Sequence, residues 1–402
     1  MRILFVVPDF YPSNSGYGNA CTGFVRALLS HSPLEVDVLS FVPLGGKNEF
    51  THPRLRVFRI QERTFLGKPN LIGSERALWE KTRELYAQHS YDFVIFETAE
   101  FPFTVNLALK HIGPQRVIVR IHATAETEWA LFRRTPVYRL KRRPTIQAFR
   151  NLKYIFSTTH YYLNFTKKHF LSDNPLLIAS KYYEVIPNIV ATPEDQAPSD
   201  QAKALINGAQ HDGIVFLTLG RMDAFGEQQK NFTRLIIALA QLKDRPYFNR
   251  IQLIAIGKGD FRPKLEKLAA GLGLGNTIRF LDALPNADIQ YLQRTCHGVV
   301  LPSTFEGLSM FALESLSNSA ALLFARAGGL IDLVDHGKNG VLYDPLEPAD
   351  IAEKMDLFIR DLLPDLETAR QHSRKKFAEQ FESETIVATF VDRLHTLSLL
   401  RS

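Results

Sequence analysis

Short apolar runs recur along the whole chain with helical stretches between them. That alternation constrains the fold more than any other feature. The runs at Arg2 to Val7, Val36 to Phe41, Asp92 to Phe96 and Arg116 to Ile121 are nearly continuous rather than every-other-residue apolar. A continuous run marks a strand covered on both faces, as in a parallel sheet flanked by helices. Leu55 to Ile60, Tyr154 to Thr158 and Tyr183 to Ile186 extend the series, and Asn19 to Ser30 and Ser74 to His89 read as helices between strands. The expectation is an α/β fold.

The alternation pauses at Ala191 to Asp212, a polar stretch carrying Pro193 and Pro198, and then resumes. Its second half has strands at Gly213 to Leu219, Ile251 to Ile256, Thr277 to Leu281, Gly298 to Leu301, Ala321 to Phe324 and Gly340 to Tyr343. Helices fall near Asn231 to Leu242, Arg262 to Leu272, Ala287 to Arg294, Leu308 to Ser317 and Gly329 to Val334, and the final helix runs near Glu384 to Leu399. A chain of 402 residues has the length for two such domains. The expected division is 1–190, a linker 191–212, a second domain 213–382 and a terminal helix 383–402. In open α/β sheets ligands bind beyond the carboxyl ends of the strands, so a cleft is expected between two such ends.

Several residues at strand ends carry chemistry, and each has a plain structural reading beside the functional one. Glu306 lies in the turn after Gly298 to Leu301, and Glu314 lies among Leu308, Met310, Phe311, Ala312, Leu313 and Leu316. The pair reads as a helix cap and a wet helix edge, or as two carboxylates that accept bonds from ligand hydroxyls. Gly16-Tyr17-Gly18, before the helix from Asn19, is a plain turn or an anion-binding loop. Cys21 stands where a dinucleotide fingerprint needs its third glycine, which disfavours NAD. Gly220-Arg221 and Lys230-Asn231 supply two surface cations, or a clasp for a phosphate. His122 ends the strand Arg116 to Ile121; Glu97 and Glu100 end the preceding one, and Glu126 follows His122 by one helical turn.

Glu306, seven residues, then Glu314, with Gly307 after the first glutamate, resembles the E-x7-E motif of retaining glycosyltransferases of the GT-B fold, in particular family four. The resemblance continues through Gly-Arg at 220–221, Lys230, Ile186-Pro187-Asn188, Gly257-Lys258-Gly259, Gly328-Gly329 and Asn339-Gly340. It implies two Rossmann-like domains facing across a cleft, with the terminal helix crossing back to the first domain. It implies transfer of a sugar from a nucleotide-sugar, a UDP-sugar such as UDP-glucose, to a hydroxyl acceptor in glycan, polysaccharide or glycolipid synthesis. Glu314 would then hold ribose hydroxyls, and Glu306 with the amides of Gly307, Leu308 and Ser309 the donor hexose. Arg221 and Lys230 would take the diphosphate. Gly257 and Leu284 would lie along the nucleotide. Gly16, Gly18 and His122 would complete the reaction centre, with Tyr17, Glu97, Glu100 and Glu126 toward the acceptor. Leu308 and Ser309 depart from the family's usual Glu-Gly-Phe-Gly, Asp332 stands in place of glutamate, and Ser319-Ala320 replaces Gly-x-Pro.

Within the same fold the rival is a sugar-nucleotide epimerase. Outside catalysis it is a nucleotide-sugar-binding protein; a dehydrogenase is the weakest alternative. The sequence carries no D-x-D after a strand, P-loop, H-E-x-x-H or C-x-x-C, so no cofactor or bound metal is expected. Two cysteines, Cys21 and Cys296, exclude a disulfide framework, and the run Ile3 to Val7 is too short for a signal peptide, so a cytoplasmic protein is expected. The net charge is +6 and uneven. Arg133, Arg134, Arg139, Lys141, Arg142, Arg143, Arg150 and Lys153 form a tract without an acidic residue. Such a tract is a solvated face, a contact for anionic membrane, or an attractor for a phosphorylated acceptor. No nucleic-acid motif accompanies it.

Overall fold

The computed structural model describes every residue except 13–14, 43–49, 63, 66–67, 70, 124–135, 191–195, 208–212 and 402. Two compact units emerge, Met1–Val190 with Phe381–Ser402, and Ala191–Gln380.

In the first unit a seven-stranded sheet runs in the order Leu55–Ile60, Glu35–Phe41, Arg2–Val7, Phe93–Phe96, Val117–Ile121, Tyr154–Ser157, Tyr182–Val185. All of its pairings are parallel. The order turns at the centre: the chain moves outward from Arg2–Val7 to one edge, then returns to that strand's other side with Phe93–Phe96. Loops leaving these two strands diverge and open a crevice at their carboxyl ends. Both faces are apolar, as the continuous runs require. Ile3, Phe5 and Val7 pack with Phe24, Val25 and Leu28 of the helix Gly16–His31, while Leu4 and Val6 pack with Leu78 of the helix Leu71–Gln88 and Val105 of Pro102–His111.

The helix Ser383–Leu399 belongs to this unit. Ile386, Phe390, Leu394 and Leu397 recur at helical spacing and are buried in the core that contains Phe5, Phe24 and Phe156. The Phe390 ring lies 5.2 Å from that of Phe24 at 84°, and 6.2 Å from that of Phe156. Edge-to-face contacts of this kind add to the burial energy. Arg393 Nε donates to Glu184 Oε2 at 2.6 Å at the rim.

The second unit repeats the plan with six parallel strands in the order Ile278–Leu281, Ile251–Ile256, Ile214–Leu219, Gly298–Leu301, Leu322–Ala325, Gly340–Tyr343. Here the order turns between Ile214–Leu219 and Gly298–Leu301. The residues singled out as cations and acids, 220–230 and 302–309, leave these two strands. No helix of the described residues is long and apolar enough to cross a membrane.

Candidate functional site

In the second unit the two loops at the sheet's turning point are stitched together. Asp223 caps the helix Ala224–Lys230 by accepting from Gly226 N at 2.6 Å. Asn231 ends that helix in the left-handed region, φ 57°, and its buried amide donates to Pro302 O at 3.0 Å and Pro345 O at 2.7 Å. Asparagine tolerates this backbone better than most residues. Thr304 N adds a bond of 2.8 Å to Gln229 O. The join delivers Lys230 Nζ onto Glu306 Oε1, and Ser303 Oγ donates to the same oxygen at 3.0 Å. The Lys230 stem lies over Gly220, where a Cβ would meet Lys230 Cγ at 2.7 Å. Gly257 is needed because a Cβ there would stand 2.0 Å from Gly220 O.

Glu306 is 5% exposed and does not cap the following helix. That helix is Met310–Ser317, and Ser309 caps it by accepting from Ala312 N. The Glu306 backbone is clamped from the other side: Gly329 N donates to Glu306 O at 3.3 Å and to Gly307 O at 3.2 Å. Gly328, at φ +53°, lies so close that a Cβ would be 1.7 Å from Glu306 O. Leu308 is buried.

Glu314 is the odd group in this unit. It is partly buried, and among the described residues no donor faces its carboxylate. Burial alone pushes its carboxyl up to about 7. Arg221 is well exposed, donates from Nε (3.0 Å) and Nη2 (2.5 Å) to Asp223 Oδ2, and lies over the Phe225 ring. Asp223 was not foreseen; its signal is an acidic residue two positions after the arginine and one before a helix. Gly257 and Leu284 flank the end of the strand Ile278–Leu281, where Asp282 pairs with Lys258 and Arg262.

The first unit has its own polar knot at the corresponding place. Glu97, at the end of Phe93–Phe96, is 1% exposed. Its Oε2 accepts from Arg120 Nη1 at 2.6 Å and lies 2.7 Å from His122 Nε2. Glu97 therefore sits behind His122 rather than on the rim where an acceptor contact was expected. Arg120 is fully buried, donates to Ile186 O, Pro187 O and Asn188 Oδ1, and lies 4.1 Å over the Phe24 ring. Arg120 is the residue that sequence reasoning missed here, and Asn188, noted only within the Ile186-Pro187-Asn188 segment, is one of its partners. The available signal was a charge inside an apolar strand, two residues from His122 and so on its face. Tyr17 donates its hydroxyl to Glu97 O, and its ring lies 4.8 Å from that of His122. Gly16–Gly18 form the first turn of the helix rather than a loop before it, because Ser15 caps the helix and takes the Gly18 amide at 2.9 Å. Glu100 is exposed. Glu126, Arg133 and Arg134 lie outside the described residues.

Burial would raise the Glu97 carboxyl, but Arg120 and the His122 hydrogen bond outweigh it and hold the group below its ordinary range. Burial pushes His122 down; Glu97 opposes that, Arg120 adds to it, and the net shift is downward. Cys21 Sγ, Glu97 and His122 present ligand atoms within 4.8 Å of one another. The fixed charge of Arg120, 3.2 Å from His122 Nε2, opposes a cation in that knot.

Residues 201–380 match the family model described as glycosyl transferases group 1. An uncharacterized glycosyltransferase of Methanocaldococcus jannaschii is 29% identical over 154 residues, 38% of each chain. A D-inositol 3-phosphate glycosyltransferase of Frankia alni is 31% identical over 171 residues, 40% of this chain and 41% of that one. These matches span well under half of the relatives' length. Among solved structures, a sucrose-phosphate synthase of Thermosynechococcus elongatus aligns over 100% of both chains with a TM-score of 0.78 at 16% identity. HepE of Anabaena, solved in complex with UDP and glucose, covers 98% of this chain and 100% of its own with a TM-score of 0.69 at 20% identity. At such identities these two show the shared fold.

Proposed function

On the match of residues 201–380 to the model of glycosyl transferases group 1, we propose that the chain is a glycosyltransferase of that group and moves a sugar from a UDP-sugar to a hydroxyl acceptor with retention of configuration. The observation that carries this reading is the meeting of Lys230 with Glu306 at the turning point of the second sheet, with Arg221 leaving the same strand. In a doubly wound sheet this is where a nucleotide binds.

Arg221 and Lys230 bind the donor diphosphate, and Lys230 exchanges Glu306 for phosphate oxygen. As the bond between the anomeric carbon and the phosphate oxygen breaks, negative charge grows on the leaving diphosphate, and the two cations stabilise it in place of a metal. The acceptor oxygen bonds to the same face of the anomeric carbon, and its proton passes to the departing phosphate. Glu306, freed from Lys230, and the 307–309 backbone hold the sugar. The Glu314 carboxylate, poor in partners, accepts from the ribose hydroxyls. In the first unit His122 meets a sugar hydroxyl.

A membrane contact extends the proposal. The helix Pro136–Asn151 exposes Arg139, Leu140, Arg142, Arg143 and Arg150. Its Lys141 turns inward to Glu75 Oε1 at 2.9 Å and Glu100 O at 2.7 Å. A basic face with an apolar residue in it suits an anionic lipid surface, and so a lipid-linked acceptor.

Calorimetry with UDP, GDP and ADP tests the site. UDP is expected to bind best, and Arg221→Ala to weaken it by roughly 1.5–3 kcal/mol, the worth of a charge-assisted bond. Turnover of UDP-sugars with and without acceptor then separates transfer from epimerisation, and binding without turnover would leave a binding protein. Failure of every nucleotide to bind, or an unchanged Arg221→Ala, would remove the site from this loop.

A further inference from the structure

The distances in the knot behind His122 favour one arrangement of protons. Glu97 Oε2 is a carboxylate oxygen, which accepts, and it lies 2.7 Å from His122 Nε2. A lone pair on Nε2 would face that oxygen with nothing between them, so Nε2 carries the proton and donates it. Arg120 Nη1 only donates: it bonds Glu97 at 2.6 Å and also lies 3.2 Å from His122 Nε2, a longer contact than the 2.7 Å between Nε2 and Glu97, so the Glu97 oxygen sets where the Nε2 proton sits. The ring's other nitrogen, Nδ1, has no partner among the described residues.

Among the described residues, the charged and titratable groups around the ring are Glu97 and Arg120 from the two strands, and Tyr17 and Cys21 from the helix Gly16–His31. Burial keeps Tyr17 and Cys21 uncharged. Arg120 cannot swing away, because Ile186 O, Pro187 O and Asn188 hold it from one side and Phe24 covers it. Its charge therefore stands permanently against a second proton on the imidazole. Glu97 Oε1 is buried without a hydrogen-bond partner. A carboxylate kept at that desolvation cost is one that packing alone would replace with an apolar side chain.

We propose that Glu97 and Arg120 are positioning residues that hold His122 as the neutral Nε2–H tautomer, so that only its Nδ1 is left to meet a substrate hydroxyl, as an acceptor. The ligand hydroxyl at this point must donate its hydrogen. A substrate bearing an acceptor there, such as a fluorine or an ether oxygen, would be refused. The inference rests on the reading of His122 as a ligand contact, whereas the tautomer itself does not.

The test is nitrogen NMR of protein labelled at histidine, with the His122 signals identified by their loss in His122→Gln. Wild type is expected to show a protonated Nε2 and a bare Nδ1 at neutral pH, with no imidazolium until below the ordinary histidine range of about 6.5. Glu97→Gln is nearly isosteric, but its amide can also donate to Nε2, so the Nδ1–H tautomer should appear. Arg120→Met should raise the His122 titration by roughly one pH unit or more. Should that variant fail to fold, wild type and Glu97→Gln still decide the matter. In turnover, Glu97→Gln should lose at least roughly tenfold in kcat, with the KM for donor little changed. A proton on Nδ1 in wild type, or the same tautomer in Glu97→Gln, would overturn the proposal. If the spectra behave as expected but His122→Gln turns over like wild type, the tautomer lock stands and the placing of His122 against substrate is overturned.

Discussion

Replacing Glu314 by glutamine should make the protein more stable, and increasingly so as pH rises. The carboxyl ionises near 4.5 in an ordinary setting and near 7 in the folded chain, because burial disfavours its charge and no donor offsets it. The folded pKa lies above the unfolded one, so protonation favours folding. The stability is fully present below about 4.5 and is lost as pH climbs through about 7. A tenfold change in proton affinity is about 1.4 kcal/mol, so the full loss approaches about 3 kcal/mol. About half of it is already felt at pH 5.5, which leaves a difference on the order of 2 kcal/mol between pH 5.5 and 8.5. Urea unfolding of wild type and Glu314→Gln at both pH values reads it directly: the gap between them should widen by that amount. Ribose hydroxyls donating to the carboxylate would favour its charged form, so UDP binding near pH 6.5 should release a proton, seen as a buffer-dependent heat. A gap that stays constant with pH would refute the reasoning and show that Glu314 is solvated.

Two further outcomes follow from geometry. Gly328→Ala places a Cβ against Glu306 O from a left-handed backbone, and should cost more than about 2 kcal/mol and weaken UDP binding together; thermal unfolding and calorimetry on one preparation would show both. Replacing Arg139, Arg142 and Arg143 by alanine should weaken sedimentation with phosphatidylserine vesicles by about 1 kcal/mol per residue, with nucleotide binding unchanged; equal binding to neutral vesicles would remove the lipid contact.

The strand skeleton is legible because doubly covered strands leave no polar face: Phe93–Phe96 and Leu322–Ala325 are buried at every residue. The helix Pro136–Asn151 was illegible for the opposite reason. Among its described residues the buried side is narrow, Ala148 and Phe149 beside an inward lysine, and Pro144 inside it reads as a breaker. The acids and cations of the second unit were legible through the resemblance of their order and spacing to a family motif; the structure places Arg221, Lys230 and Glu306 in the loops after the two strands at the sheet's turning point. Arg120 was overlooked because its partners are carbonyls of residues 186 and 187, which no sequence spacing connects to it. Ser15 likewise converts an apparent glycine loop into a helix start through one hydroxyl.

The helix Ser383–Leu399 gives the protein an order of assembly. The first unit needs Ile386, Phe390 and Leu394 to close over Phe5 and Phe24, yet all of Ala191–Gln380 is synthesised in between. At about 5–20 residues per second that delay is on the order of ten to forty seconds. Through it the nascent first unit holds all the strands of its sheet but presents an unsealed aromatic face, while the second unit is complete as soon as Gln380 is made. The unit that starts first is thus the one that finishes last, and its newborn form is the state a chaperone would meet.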